Sequence, residues 1–80
     1  MRQLKIYGAG CARCGRLYQN CLEALEAAGE QGIVLKEEDI VKISVAKVMF
    51  TPALEIDGKL VSEGKLLTVE QIVEKLRGTA

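Results

Sequence analysis

Eighty residues, 49% of them apolar, suffice for one domain with one core, burying roughly 60% of the unfolded surface. Eleven basic residues cancel eleven acidic ones, and there is no Trp, one Phe and two Tyr; neither a bulk field nor the stacking platforms used for nucleic-acid binding are present. No stretch approaches 18 uninterrupted apolar residues, which excludes a membrane-spanning helix, and no charged-then-apolar leader is visible, so a cytoplasmic protein is expected.

Residues 2–7 read as a first strand ending in Leu4-Lys5-Ile6-Tyr7. Gly8 and Gly10 follow, and the expectation is that they let the backbone turn sharply, since glycine tolerates positive φ. A helix is predicted from about Cys11 to Ala28, with Leu17, Tyr18, Cys21, Leu22, Leu25 and Ala28 on one side and Gly29 as its stop. Gly32 opens a second strand, Ile33-Val34-Leu35-Lys36-Glu37, whose apolar start predicts burial on both faces. Residues 39–49 allow a helix capped by Asp39, but Val41 to Val45 also alternates like a strand; the helix is preferred because a crossover is needed there. After Phe50-Thr51-Pro52, the runs Ala53–Ile56 and Lys59–Ser62 flank Asp57-Gly58, the signature of a hairpin with a type I′ turn. Thr68 and Gln71 form a capping box for a last helix with Val69, Ile72, Val73 and Leu76 on one stripe and Gly78 at its end. The order βαβαββα predicts an α/β domain over residues 1–80, a four-stranded mixed sheet with helices on both faces.

The chemistry concentrates at Cys11-Ala12-Arg13-Cys14. A helix N-terminus favours negative charge, so a thiolate at Cys11 is favoured there, and Arg13 beside it is expected to push its pKa below the free value of about 8.5. Cys14, one turn before Leu17 and Tyr18, shares the buried face, so one sulfur is accessible and the other sheltered. Cys21 lies seven residues beyond Cys14. At 1.5 Å per residue their Cα atoms are about 10 Å apart, past the ~7 Å limit for a disulfide, and Cys21 reads as a small buried apolar residue. A C-x-x-C pair at a strand–turn–helix reads as a redox disulfide motif.

Taken together, Tyr7-Gly8-Ala9-Gly10-Cys11-Ala12-Arg13-Cys14, Thr51-Pro52-Ala53-Leu54, Ile56-Asp57-Gly58-Lys59 and Ser62-Glu63-Gly64 resemble the thioredoxin fold, and within it the small thioredoxin-like redox-active disulfide proteins. The resemblance spans essentially the whole chain. It implies the strand order 4-3-1-2 with the third strand antiparallel to the rest, a cis Pro52 beside the cysteines, and a Thr51 backbone free to bind an extended substrate peptide. The activity it implies is thiol–disulfide exchange without a cofactor: Cys11 attacks, Cys14 resolves, and Thr51 and Pro52 hold the substrate. The partners implied are a disulfide-containing protein and a reductant or reductase.

The chain departs from typical thioredoxins in carrying Ala12-Arg13 between the cysteines, no Trp before them, and no carboxylate in Leu4-Lys5-Ile6-Tyr7. It also lacks the Val that glutaredoxins place between Thr and Pro. The electron donor is therefore open between thioredoxin reductase, glutathione and others. The alternative is soft-metal carriage, Cu(I) or Zn²⁺ on the same cysteine pair. Against it stand the terminal helix in place of a strand, the Thr51-Pro52 pair that a carrier does not need, and the absence of histidine. No metal site is expected.

Overall fold

The computed structural model describes residues 1–8 and 12–78. The elements are β1 (Arg2–Tyr7), α1 (Ala12–Ala28), β2 (Gly32–Glu37), α2 (Ile40–Val45), β3 (Ala53–Ile56), β4 (Lys59–Glu63) and α3 (Val69–Gly78). The sheet runs β2-β1-β3-β4, the expected order read from its other edge. β1 pairs parallel with β2, and β3 pairs antiparallel with both β1 and β4.

Alternation along the strands gives the sheet one dry face. Leu4 and Ile6 of β1 stand opposite Ile56 and Leu54 of β3, and all four are buried. Against them α1 turns Cys14, Leu17, Cys21, Ala24 and Leu25, a three-and-four spacing, while α3 adds Ile72 and Leu76. Each fully buried Leu or Ile is worth roughly 1.5–3 kcal/mol in this setting. Leu22 falls outside the expected stripe; it sits on the flank of the helix, 39% exposed, and Ala24 occupies the core instead.

The ends of the helices have identifiable causes. Gly29 takes φ +66°, and the Gly29 and Glu30 N–H groups donate to the Glu26 and Leu25 carbonyls, closing α1 with a Schellman motif. The same pattern closes α2. Lys47 at φ 61° and Val48 donate to the carbonyls of Ser44 and Ile43. The Asp39 side chain caps the other end by accepting from the Val41 N–H. Helix α2 is thus shorter than the segment predicted and buries none of its residues.

That exposure corrects the reading of β2. The strand was expected to be buried on both faces, but it lies at the sheet edge and only Val34 packs on the core, while Ile33 and Leu35 remain about two-fifths exposed. Its inner face meets α1.

The hairpin turn takes positive φ at both central residues, 50° at Asp57 and 86° at Gly58, which is the type I′ geometry. Asp57 also fastens this pole of the molecule. Its carboxylate accepts from the Gln3 N–H at 2.8 Å and from Arg2 Nε at 2.7 Å, while Arg2 Nη1 reaches Glu30 at 3.0 Å. The Gln3 N–H first, and then the Arg2 guanidinium, hold the Asp57 carboxyl below the usual carboxylate range. In α3 the capping box forms in both directions, Thr68 N–H to Gln71 Oε1 at 2.9 Å and Gln71 N–H to Thr68 Oγ1 at 3.2 Å.

Candidate functional site

The C-terminal end of β1 carries the candidate site. Tyr7 ends the strand, and the Gly8 N–H continues the ladder by donating to the Glu37 carbonyl at 3.0 Å. Because β3 is antiparallel to β1, Tyr7 faces Ala53, and the segment Thr51-Pro52 arrives beside Gly8 from the opposite direction. Some forty positions of sequence are closed by one strand pairing. The Thr51–Pro52 peptide bond is cis; Pro52 is buried and Thr51 exposed.

Gly8 is the contact that joins the two halves. A Cβ built on it would overlap the Cys14 Sγ and would stand 3.6 Å from both the Cys14 Cβ and the Thr51 Cβ. Cys14 and Thr51 therefore border the same glycine. Gly8 is absent from the residues with positive φ, so its role is to supply space and not the left-handed turn expected of it. Cys14 lies in the first turn of α1 and is 7% exposed, so its sulfur is sheltered. Cys11, the expected nucleophile, and Gly10, the other expected turning glycine, lie outside the described residues.

Arg13 is exposed, and its Nη2 donates to the Gly64 carbonyl at 3.1 Å. Gly64 in turn donates its N–H to the Pro52 carbonyl at 2.9 Å, and Glu63 Oε2 accepts from the Met49 N–H at 3.0 Å. The loop after β4 thus touches both the first turn of α1 and the segment before β3. On the opposite side of Cys14, towards β2, a cleft of about 370 Å³ is bordered by Ala12, Cys14, Lys36 and Glu38. The Lys36 ammonium rests over the Tyr18 ring, 4.5 Å from its centroid. Sequence reasoning did not associate Lys36 or Glu38 with the cysteines; the parallel register, which sets Ile6 opposite Lys36, is what brings them there.

Other titrating groups near the sheet are shielded. Burial pushes Tyr7 up to about 12, helped by its hydroxyl's 2.9 Å hydrogen bond to Glu55 and by the charges of Glu55 and Glu37. Burial alone pushes the Cys21 thiol up to about 12. Among the described residues, no three His, Cys, Asp or Glu side chains converge in a way that could hold a metal ion. Among them, too, no helix is long and apolar enough to cross a membrane.

A mixed four-stranded sheet, a cysteine in the first turn of the helix after β1 and a proline segment entering β3 beside it define a recognisable class. The family model described as a thioredoxin domain matches residues 2–77, and the chain belongs to that family. It is 35% identical over 74 residues to a thioredoxin of Methanocaldococcus jannaschii, covering 92% of this chain and 85% of that one. A thioredoxin of Methanothermobacter thermautotrophicus is 33% identical over 72 residues, covering 90% and 94% respectively. In fold the chain resembles the oxidised thioredoxin of Plasmodium falciparum, with a TM-score of 0.62 at 14% identity, over 94% of this chain and 80% of that one.

Proposed function

We propose that this protein is a thiol–disulfide oxidoreductase in which Cys11 and Cys14 form the exchanging pair. The observation that carries the reading is the placement of the Cys14 sulfur against Gly8, with Thr51 bordering the same glycine, in a chain of the thioredoxin family. A sheltered sulfur in that place suits a resolving thiol. It needs only to meet its partner three residues away, while substrate approaches from the Thr51 side.

In the proposed cycle the Cys11 thiolate attacks one sulfur of a substrate disulfide, forming a mixed disulfide and releasing the other sulfur as thiolate. Cys14 loses its proton and attacks Cys11. The mixed disulfide breaks, the second substrate sulfur leaves as thiolate and takes up a proton, and the protein is left with a Cys11–Cys14 disulfide. Two electrons have passed to the substrate, and an external dithiol or reductase restores them. No cofactor enters the cycle. The exposed Thr51 backbone is suited to bind an extended substrate chain, with Pro52 fixing its direction. Met49 and Phe50, 79% and 64% exposed, add an apolar rim that favours a protein disulfide as substrate. The reducing cytoplasm is the compartment in which such a cycle runs.

Insulin-disulfide reduction with dithiothreitol as donor tests the assignment. The wild type should turn over, and Cys14→Ser should stall as a mixed disulfide between Cys11 and substrate, visible by mass spectrometry. Labelling of Cys14 ahead of Cys11 in the reduced protein would reverse the roles. A wild type without reductase activity that binds Cu(I) tightly would support metal carriage instead.

A further inference from the structure

The stretch Ser62-Glu63-Gly64 stands out in the sequence and has no part in the exchange cycle, yet three segments of the site meet there. Gly64 donates its N–H to the Pro52 carbonyl at 2.9 Å and accepts, on its own carbonyl, the Arg13 Nη2 at 3.1 Å. Its φ of +69° directs these groups, and a Cβ on it would stand 3.0 Å from the Phe50 Cβ, so the position is closed to a side chain on both counts. Glu63 adds the bond from the Met49 N–H. The segment that enters β3 is therefore stitched to residues 63–64, and residue 64 is stitched to the first turn of α1.

From this we infer that Arg13 and Gly64 form a strap that fixes the spacing between the cysteine helix and the Thr51–Pro52 platform. Both are positioning residues, and the inference rests on the exchange reading above. Arg13 was first read as a cation that lowers a cysteine pKa, and the strap makes a different demand of it. A charge acts on the thiolate whatever the substrate. A strap acts only when a substrate must bridge two elements, so its loss slows a macromolecular disulfide and spares a small reagent that needs the thiol alone.

The test compares wild type, Arg13→Ala and Arg13→Lys in two assays. The first is kcat/KM for insulin reduction with dithiothreitol as donor. The second is the pH dependence of iodoacetamide alkylation at the reactive thiol. Arg13 is exposed, so neither substitution threatens the core. Loss of one solvent-exposed hydrogen bond predicts a fall of about 3–10-fold in kcat/KM for Arg13→Ala. The alkylation midpoint should stay at its wild-type value. Lysine, which retains a donor of similar reach, should recover most of the loss. A fall accompanied by a rise in the alkylation midpoint would return Arg13 to the role of a charge and overturn the strap. An Arg13→Ala protein that matches an active wild type would overturn the strap while leaving the exchange reading intact. A wild type that reduces no insulin would overturn the exchange reading itself, and the strap's function with it.

Discussion

A single hydrogen atom at position 8 decides whether the two halves of the site can meet. Gly8→Ala would drive a methyl group into the Cys14 sulfur, and the sulfur is enclosed by the core and cannot retreat freely. Overpacking of this kind typically costs about 1–3 kcal/mol. The expected outcome is a folded but less stable protein with little insulin-reductase activity, seen by denaturant titration beside the activity assay. The sequence marks Gly8 clearly, as part of Tyr7-Gly8-Ala9-Gly10, but for a different reason. A glycine before a helix suggests a left-handed turn, and only the three-dimensional approach of Cys14 reveals that space is what the position supplies. Cys21 was easier to read. Its seven-residue separation from Cys14 predicted a buried bystander, and it is fully buried on the inner face of α1.

Elements were legible where their boundaries carry chemical punctuation. Asp57-Gly58 announces its turn because both residues tolerate positive φ, and Thr68 with Gln71 announces the start of α3 because the two side chains satisfy each other's backbone donors. Thr68→Ala removes the oxygen that accepts from Gln71 and should cost about 1 kcal/mol. The loss should appear in the denaturation midpoint, with exchange kinetics little changed, because α3 lies behind the core and not at the site. Helix α2 was harder to delimit for a physical reason. Its last turn closes on Lys47 in a left-handed conformation that side chains other than glycine or asparagine seldom adopt, so no residue in the sequence signals the stop. The burial of β2 was misread because an apolar run looks the same whether a strand lies at a sheet edge or inside.

For the molecule as a whole, the neutral balance of charge conceals two buried acids that matter at high pH. Cys21 and Tyr7 are both held near 12 in the folded state, by burial in each case and for Tyr7 also by the Glu55 hydrogen bond and nearby carboxylates. In the unfolded chain they ionise near 8.5 and 10. Between those values and about 12 the unfolded state holds fewer protons than the folded one, so stability falls as pH rises through that window. Urea midpoints measured from pH 7.5 to 10.5 should decline from about pH 8.5 onwards. In Cys21→Ala the decline should begin closer to pH 10, where Tyr7 takes over; an unchanged profile would separate Cys21 from the effect. The strand order and the pairing of β1 with β3 were legible only through the family resemblance that the motifs carry, and the links through Gly64 were not legible at all, because nothing in the sequence says which carbonyl an exposed arginine will find.

The exposure of α2 bears on how the protein moves. A helix that buries none of its residues can open with little disturbance of the core, so the amides of residues 40–45 should exchange sooner than those of β1, α1 and β3, which carry most of the core. That segment leads into Met49, Phe50 and Thr51. One side of the candidate site thus rests on core elements, and the other follows a helix that adds nothing to the core. Opening of α2 would lengthen the chain that leads to Met49, while the bonds through Glu63 and Gly64 keep the entry to β3 in place.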